Sequence, residues 1–294
     1  MVGISDLYTQ VQNPDFWKQL NPGLSIEEYS SNQPIKAIAF NPEALEEQLL
    51  YLQQEGYFQL DPVLPEIEVF RMAAGIELLA LEGWPAVFAF VYDEFWLILH
   101  RISNLIAAIL GENYRQLPAF WEWYVGTDND QSGWSPHRDR GGNTLRPDRL
   151  PNVITIWIPF TDAIPLNGCM YVLPPDRDPY YSIYDNRPED PFINPQDIRA
   201  LPAAAGSILG WNHRIMHWGG RSSSIAPHPR ISLSCEFQRG DVEPYDPPLL
   251  DPLTVPSFQQ RLALIGKQIM RYQHMYDLPP ELVEVARQII DCKL

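Results

Sequence analysis

Cysteine is scarce in this chain: among 294 residues only Cys169, Cys235 and Cys292 carry thiols, far apart in sequence. No CxxC pair occurs, which argues against a disulfide framework and a thiolate zinc knuckle and fits a reduced, intracellular setting. Basic residues are also few. Against 37 Asp and Glu stand 21 Lys and Arg, a formal net charge of −16, so no diffuse positive field exists to hold a phosphate backbone or an anionic membrane surface. Neither a nucleic acid nor a membrane is an expected partner. Long apolar runs are missing too: the most apolar stretch, Pro85 to Leu99, is broken by Asp93 and Glu94. Residues 1–13 contain no basic residue and no apolar segment of signal-peptide length, so a cytoplasmic location is expected.

What is present is ordinary for a globular protein. Apolar residues make up 45% and charged residues 20%, and this length allows one or two domains. Texture predicts a single domain in four parts: a surface extension over 1–40, a helical layer over 41–111, a β core over 120–240 and C-terminal helices over 256–294. Asn41-Pro42 supplies a cap and a first-turn proline, Leu45, Leu49 and Leu52 share a face, and Gly56 suits the exit. A second helix is expected near Pro65. Phe95, Leu99, Ile102, Ile106 and Leu110 recur at helical spacing before Gly111, predicting one further helix.

From Trp121 the segments become short, β-branched and aromatic. Val153–Pro159, Gly168–Leu173, Ser207–Trp211 and Ile231–Phe237 read as strands of a jelly roll or small barrel. Helical period returns after Asp246, where Ser257 and Gln260 form a capping-box pattern and Leu262, Ile265, Ile269 and Tyr272 form one stripe. A last helix is expected after Pro280.

The chemical signal is His137-Arg138-Asp139. On an extended strand residues i and i+2 point the same way, so an imidazole and a carboxylate would reach one cavity while Arg138 faces the other side. Two His and one carboxylate occupy three metal positions and leave three open, which suits non-haem Fe(II). An isolated HxD is usually only a surface pair, so a second histidine is required. His217 and His213 both qualify by sequence. Their spacing of four matches a zinc-binding helical turn, but no Glu lies between them, and Gly210 and Gly219-Gly220 disfavour a helix. His228 lies between two prolines and suits a loop, while His100 and His274 read as structural.

The order of HxD, the strand Thr155-Ile-Trp157-Ile-Pro159, the turn Asn167-Gly168-Cys169, Gly206 before a strand ending in His217, and Arg230 on the next strand resembles the phytanoyl-CoA dioxygenase family. The likeness spans about His137 to Phe237, with Glu55-Gly56-Tyr57-Phe58 similar to the family's approach to its core. It implies a double-stranded β-helix (jelly-roll, cupin-like) core flanked by N- and C-terminal helices. It also implies a dioxygenase using Fe(II), 2-oxoglutarate as cosubstrate and O2, and releasing succinate. By the same resemblance His137, Asp139 and His217 would ligate iron, Arg230 would bind the distal carboxylate of 2-oxoglutarate with help from Ser232, and Trp157 and Tyr124 would contact the cosubstrate. His213 would be a pocket residue. Because Asp139 is present where related halogenases have Gly or Ala, hydroxylation is preferred to chlorination; desaturation, epoxidation and ring formation use the same ligands.

Arg138, Arg140, Arg146 and Arg149 crowd the segment after the metal motif, with Arg214 and Arg221 near the other ligand. They read either as surface ion pairs or as an anion-receiving rim, which would suit a small-molecule substrate bearing a carboxylate or phosphate. Trp211 and Trp218 are candidate walls of an apolar pocket. A cupin-like metalloenzyme without 2-oxoglutarate and a vestigial interaction protein are the competing readings, and the chain is expected to be a monomer or homodimer.

Overall fold

A computed structural model describes residues 3–27, 35–127, 132–182, 193–275 and 278–290. The chain opens with α1 (Ile4–Val11) and α2 (Pro14–Leu20). The first 40 residues are therefore more than a surface extension: Trp17 is fully buried, stacks on Phe88 at 5.1 Å and donates its indole N–H to the Val11 carbonyl at 2.8 Å.

Next come α3 (Pro42–Glu55), β1 (Tyr57–Leu60), α4 (Glu66–Leu81), α5 (Glu94–Arg101) and α6 (Ser103–Leu110). The Asn41 side chain caps α3, accepting from the Glu43 N–H at 2.8 Å, and Gly56 leaves the helix with φ 77°. That left-handed angle costs glycine little and other residues more. The expected single helix through Leu110 is two. It breaks at Ile102 because the Arg101 carbonyl accepts from the Ile38 N–H at 2.8 Å instead of continuing the helical ladder, while Asn104 donates to the Ile38 carbonyl at 2.9 Å.

The β core follows as β2 (Arg115–Val125), β3 (Val153–Pro159), β4 (Met170–Leu173), β5 (Arg199–Leu201), β6 (Ile208–Asn212), β7 (Met216–Gly219) and β8 (Arg230–Gln238), ahead of α7 (Phe258–Tyr272) and α8 (Pro280–Ile290). Two antiparallel sheets face each other without closing into a barrel, one ordered β1-β6-β3-β8-β2 and the other β5-β4-β7. This is the expected jelly roll. β2 starts before the change of texture at Trp121, and its register slips between Gln116 and Phe120, around Pro118, which has no N–H for the ladder. Gln268 of α7 repairs the slip, donating to the Pro118 carbonyl at 2.7 Å and accepting from the Phe120 N–H at 3.4 Å.

Strand alternation divides the two layers. Ile231, Leu233, Cys235 and Phe237 of β8 join the core shared with the helices, whereas Arg230, Ser232, Ser234 and Glu236 point between the sheets. α7 is anchored by its Ser257–Gln260 capping box and by the buried ion pair of Arg261 with Asp93 at 2.5 Å. Cys169 and Cys235 are buried free thiols, and Cys292 lies outside the described residues. Among the described residues no helix is long and apolar enough to cross a membrane.

Candidate active site

Three donors meet between the sheets. His217 lies on β7; His137 comes from an irregular segment and pairs with it through a single bridge, His137 N–H to the His217 carbonyl at 3.1 Å and the reverse at 3.0 Å. The expected extended strand at HxD is thus only this one bridge, and Asp139 sits in a bend. The bend still turns the carboxylate inward: Asp139 Oδ1 stands 3.5 Å from His137 Nε2 and 3.4 Å from His217 Nε2. One ligand atom from each residue falls within 4.8 Å of the others.

The imidazoles are oriented by carbonyls. His137 Nδ1 lies 2.7 Å from the Ser135 oxygen and His217 Nδ1 lies 3.2 Å from the Ile215 oxygen. Donation from Nδ1 leaves Nε2 of each ring with a lone pair facing Asp139, the tautomer a metal ligand needs. Burial pushes the His217 ring down to about 4, so it is neutral near pH 7. Burial alone would lift the Asp139 carboxyl, but the imidazoles gathered round it, His217 foremost, outweigh it and hold Asp139 well below the usual carboxylate range. Among the described residues buried His137 Nε2 makes no well-formed hydrogen bond. An anionic carboxylate, two inward lone pairs and this unpaired nitrogen fit a divalent cation.

Asp139 is held from behind. Its Oδ2 accepts from Thr155 Oγ1 of β3 at 2.7 Å and from Trp211 Nε1 of β6 at 3.0 Å. Trp211, expected as a pocket wall, thus also orients the carboxylate. Fully buried His213 stands 3.1 Å from Thr155 Oγ1 and 3.8 Å from Asp139 Oδ2, and burial drives it down to about 3. It lies in the turn between β6 and β7, not on a helix, and the converging cluster contains His217 in its place.

Arg230 is 1% exposed on the cavity face of β8. Its guanidinium lies between the rings of Trp123 and Trp157, at 5.9 and 5.8 Å, and donates to Ser232 Oγ at 2.8 Å. A methyl group on Gly133 or Gly219 would stand 3.1 or 3.0 Å from its terminal nitrogen. Ser232 therefore braces Arg230. Tyr124 alternates to the opposite face of β2 from Trp123 and packs on the helix-side core, outside the cavity lining. Trp218 alternates away from His217 and stacks on Tyr171 at 5.8 Å.

The arginines after HxD do not line this cavity. Arg138 pairs with buried Asp178 at 2.7 Å, Arg140 with Glu236 at 2.6 Å, and Arg146 lies 3.2 Å from Asp148. For the first two, the ion-pair reading describes the geometry. The remaining walls are largely aromatic. Trp121, Trp134 and Tyr272 line the cavity beside the triad, with Tyr272 reaching from the end of α7 to within 4.5 Å of Trp134 and 5.2 Å of Trp121, ring centre to ring centre. Thr155, Glu236 and Tyr272 were not identified as site residues from sequence. Strand period held a signal for two of them: Thr155 shares a face with Trp157, and Glu236 shares one with Arg230.

Fold and site together define a jelly-roll protein with a two-histidine, one-carboxylate cluster and a buried arginine behind it. Residues 88–230 match the family model described as phytanoyl-CoA dioxygenase (PhyH), and over that span the chain is PhyH-like. Similar solved structures include the non-heme monooxygenase ThoJ in its apo form (14% identity, 85% of this chain and 100% of that one, TM-score 0.57). The non-heme alpha ketoglutarate dependent carbocyclase SnoK from nogalamycin biosynthesis is another (20%, 74% and 100%, 0.52). A third is HygX from Streptomyces hygroscopicus with nickel and 2-oxoglutarate bound (13%, 69% and 89%, 0.53). At these identities the likeness establishes the fold. No curated protein sequence matches the chain.

Proposed function

We propose that this protein is an Fe(II)- and 2-oxoglutarate-dependent dioxygenase that hydroxylates a small metabolite. The observation that carries the reading is the convergence of His137, Asp139 and His217 in one cavity with a buried arginine, Arg230, whose surroundings leave a planar guanidinium in place. His137, Asp139 and His217 would hold the metal, and Arg230 would take the distal carboxylate of 2-oxoglutarate through paired hydrogen bonds. Iron with 2-oxoglutarate supplies the oxidising power that uses O2 and releases succinate. The chain's own share is positional. Thr155 and Trp211 fix the carboxylate, Ser232 and Trp157 fix the arginine, and the aromatic walls exclude water and orient the reacting carbon.

An epimerase, a carbocyclase and a monooxygenase are among the proteins of similar structure. Outcomes other than hydroxylation would use the same protein groups. An anionic handle on the substrate, if present, must be received outside the metal cavity, whose lining has Arg230 as its one basic side chain among the described residues besides the histidines. The test is an anaerobic visible spectrum with Fe(II) and then 2-oxoglutarate added. A weak charge-transfer band requiring both additions, and diminished in Asp139→Ala and Arg230→Ala, is expected. Iron binding without any band would instead favour a metalloenzyme that does not use 2-oxoglutarate.

A further inference from the structure

We propose that a cleft separate from the metal cavity, between the 143–152 turn and the 175–182 segment, binds a small multiply charged anion bearing a phosphate or a pair of carboxylates. The cleft encloses about 720 Å³ and is lined by Arg146, Arg149 and Arg214, with Asn143, Asn152 and Tyr181 beside them. Three guanidiniums in one hollow are notable in a chain of net charge −16. Among the described residues the one acidic lining residue is Asp176, which lies 3.3 Å from Arg177.

The turn is built to present these side chains. Arg149 is the one non-glycine with positive φ among the described residues, at 69°. That angle is costly for a side-chain-bearing residue and persists where the surroundings impose it. Here they do: the Arg149 N–H donates to the Arg146 carbonyl at 2.9 Å, and the Arg146 N–H donates to the Leu150 carbonyl at 2.8 Å. Asp148 Oδ1 is occupied by the Leu150 N–H at 3.0 Å, and Arg146 Nε, 3.2 Å from the same oxygen, is buried without a hydrogen bond among the described residues. A planar donor fork that is incompletely satisfied beside two more guanidiniums is a receptor for oxyanions.

The cleft also touches the metal segment. Arg138, between His137 and Asp139 in sequence, donates to the Arg214 carbonyl and pairs with Asp178, whose carbonyl accepts from the Tyr181 N–H at 3.2 Å. Two cleft residues are thereby tied to the chain that carries the candidate ligands, while the Arg214 guanidinium donates to the Gly142 carbonyl at 3.3 Å and the Tyr181 hydroxyl accepts from Asn212 Nδ2 at 2.9 Å.

The probe is inorganic pyrophosphate, titrated calorimetrically into the full chain at about 0.15 M salt, where charges more than ~8 Å apart in solvent are screened. One saturable site is expected, weakened at least tenfold in Arg149→Gly and below detection in R146Q/R149G/R214Q. Arg149→Gly removes the charge and relieves the positive φ, so its loss of binding cannot be ascribed to misfolding; an unchanged melting temperature serves the same purpose for the triple variant. Arg230→Ala should bind pyrophosphate like the wild type. No saturable binding, equal affinity in Arg149→Gly, or loss in Arg230→Ala would each overturn the proposal, the last by placing the anion in the metal cavity. None of these readouts depends on iron or turnover.

Discussion

The indole N–H of Trp211 donates to Asp139 Oδ2 at 3.0 Å, on the oxygen opposite the one that faces the two histidines. With Thr155 on the same oxygen at 2.7 Å, this leaves Oδ1 as the atom presented to a metal. Trp211→Phe keeps the ring and removes the donor. Iron affinity should fall by roughly 10- to 100-fold, the usual effect of losing a group that orients a ligand. Equilibrium dialysis with Fe(II) under argon, compared with Thr155→Val, measures it. Unaltered affinity in both variants would show that Asp139 needs no bracing.

Arg230 is built for planarity, so a lysine there should behave as a loss. Arg230→Lys removes one of two parallel donors and should raise the KM for 2-oxoglutarate by roughly 10- to 100-fold, given ~1.5–3 kcal/mol for a charge-assisted hydrogen bond. Gly219→Ala should act in the same direction, since its methyl would meet the guanidinium at 3.0 Å. Iron affinity, measured separately, should change little in either.

The buried histidines make the metal-free fold acid-sensitive. Burial lowers His213 to about 3 and His217 to about 4, from an ordinary value near 6.5. A folded pKa below the unfolded one means that the unfolded chain takes up protons first, so stability falls as pH drops from about 6.5 towards 4. Urea midpoints at pH 7 and pH 5 check this, with the lower midpoint at pH 5. His213→Gln should flatten the slope. His100, lowered by burial on α5, acts with the same sign.

Glu122 presents the opposite case. Its carboxyl on β2 is buried, and among the described residues neither oxygen has a hydrogen-bond partner. Burial lifts it well above the usual range. A raised folded pKa makes the group a penalty that grows as pH rises past the unfolded value, so Glu122→Met should stabilise the protein at pH 7 by about 1–3 kcal/mol. Calorimetric melting at pH 7 and pH 4.5 tests it: the gain should shrink at the lower pH.

The ion pair of Arg261 with Asp93 behaves otherwise, because both partners are fixed. Arg261 also donates to the Val91 and Pro256 carbonyls at 2.8 and 2.7 Å. Asp93→Ala should cost about 3–5 kcal/mol by leaving a buried cation unpaired, read as a drop in urea midpoint.

Much of this architecture was legible in the residues. Asn41, Gly56 and the Ser257–Gln260 box mark helix ends through short-range chemistry, and the four strands from Val153 to Phe237 show their β-branched texture locally. What was not legible depended on partners far away in sequence. The break at Ile102 follows from a carbonyl taken by Ile38, and Trp17 is core because Phe88 is there to stack on. The same division holds at the site. His137, Asp139, His217 and Arg230 converge as the motif order implied, whereas the side of β2 that Tyr124 faces depends on register, and the partners of Arg138 and Arg140 are Asp178 and Glu236, 40 and 96 residues away.

Tyr272 closes the cavity from the last turn of α7, beyond residue 230 where the family match ends. A chimera that exchanged the jelly roll and kept the host's tail would inherit His137, Asp139 and His217 but receive a foreign wall opposite Trp134. Reprogramming which compound the cavity accepts should therefore start at the last turn of α7, which contributes none of the three converging donors His137, Asp139 and His217.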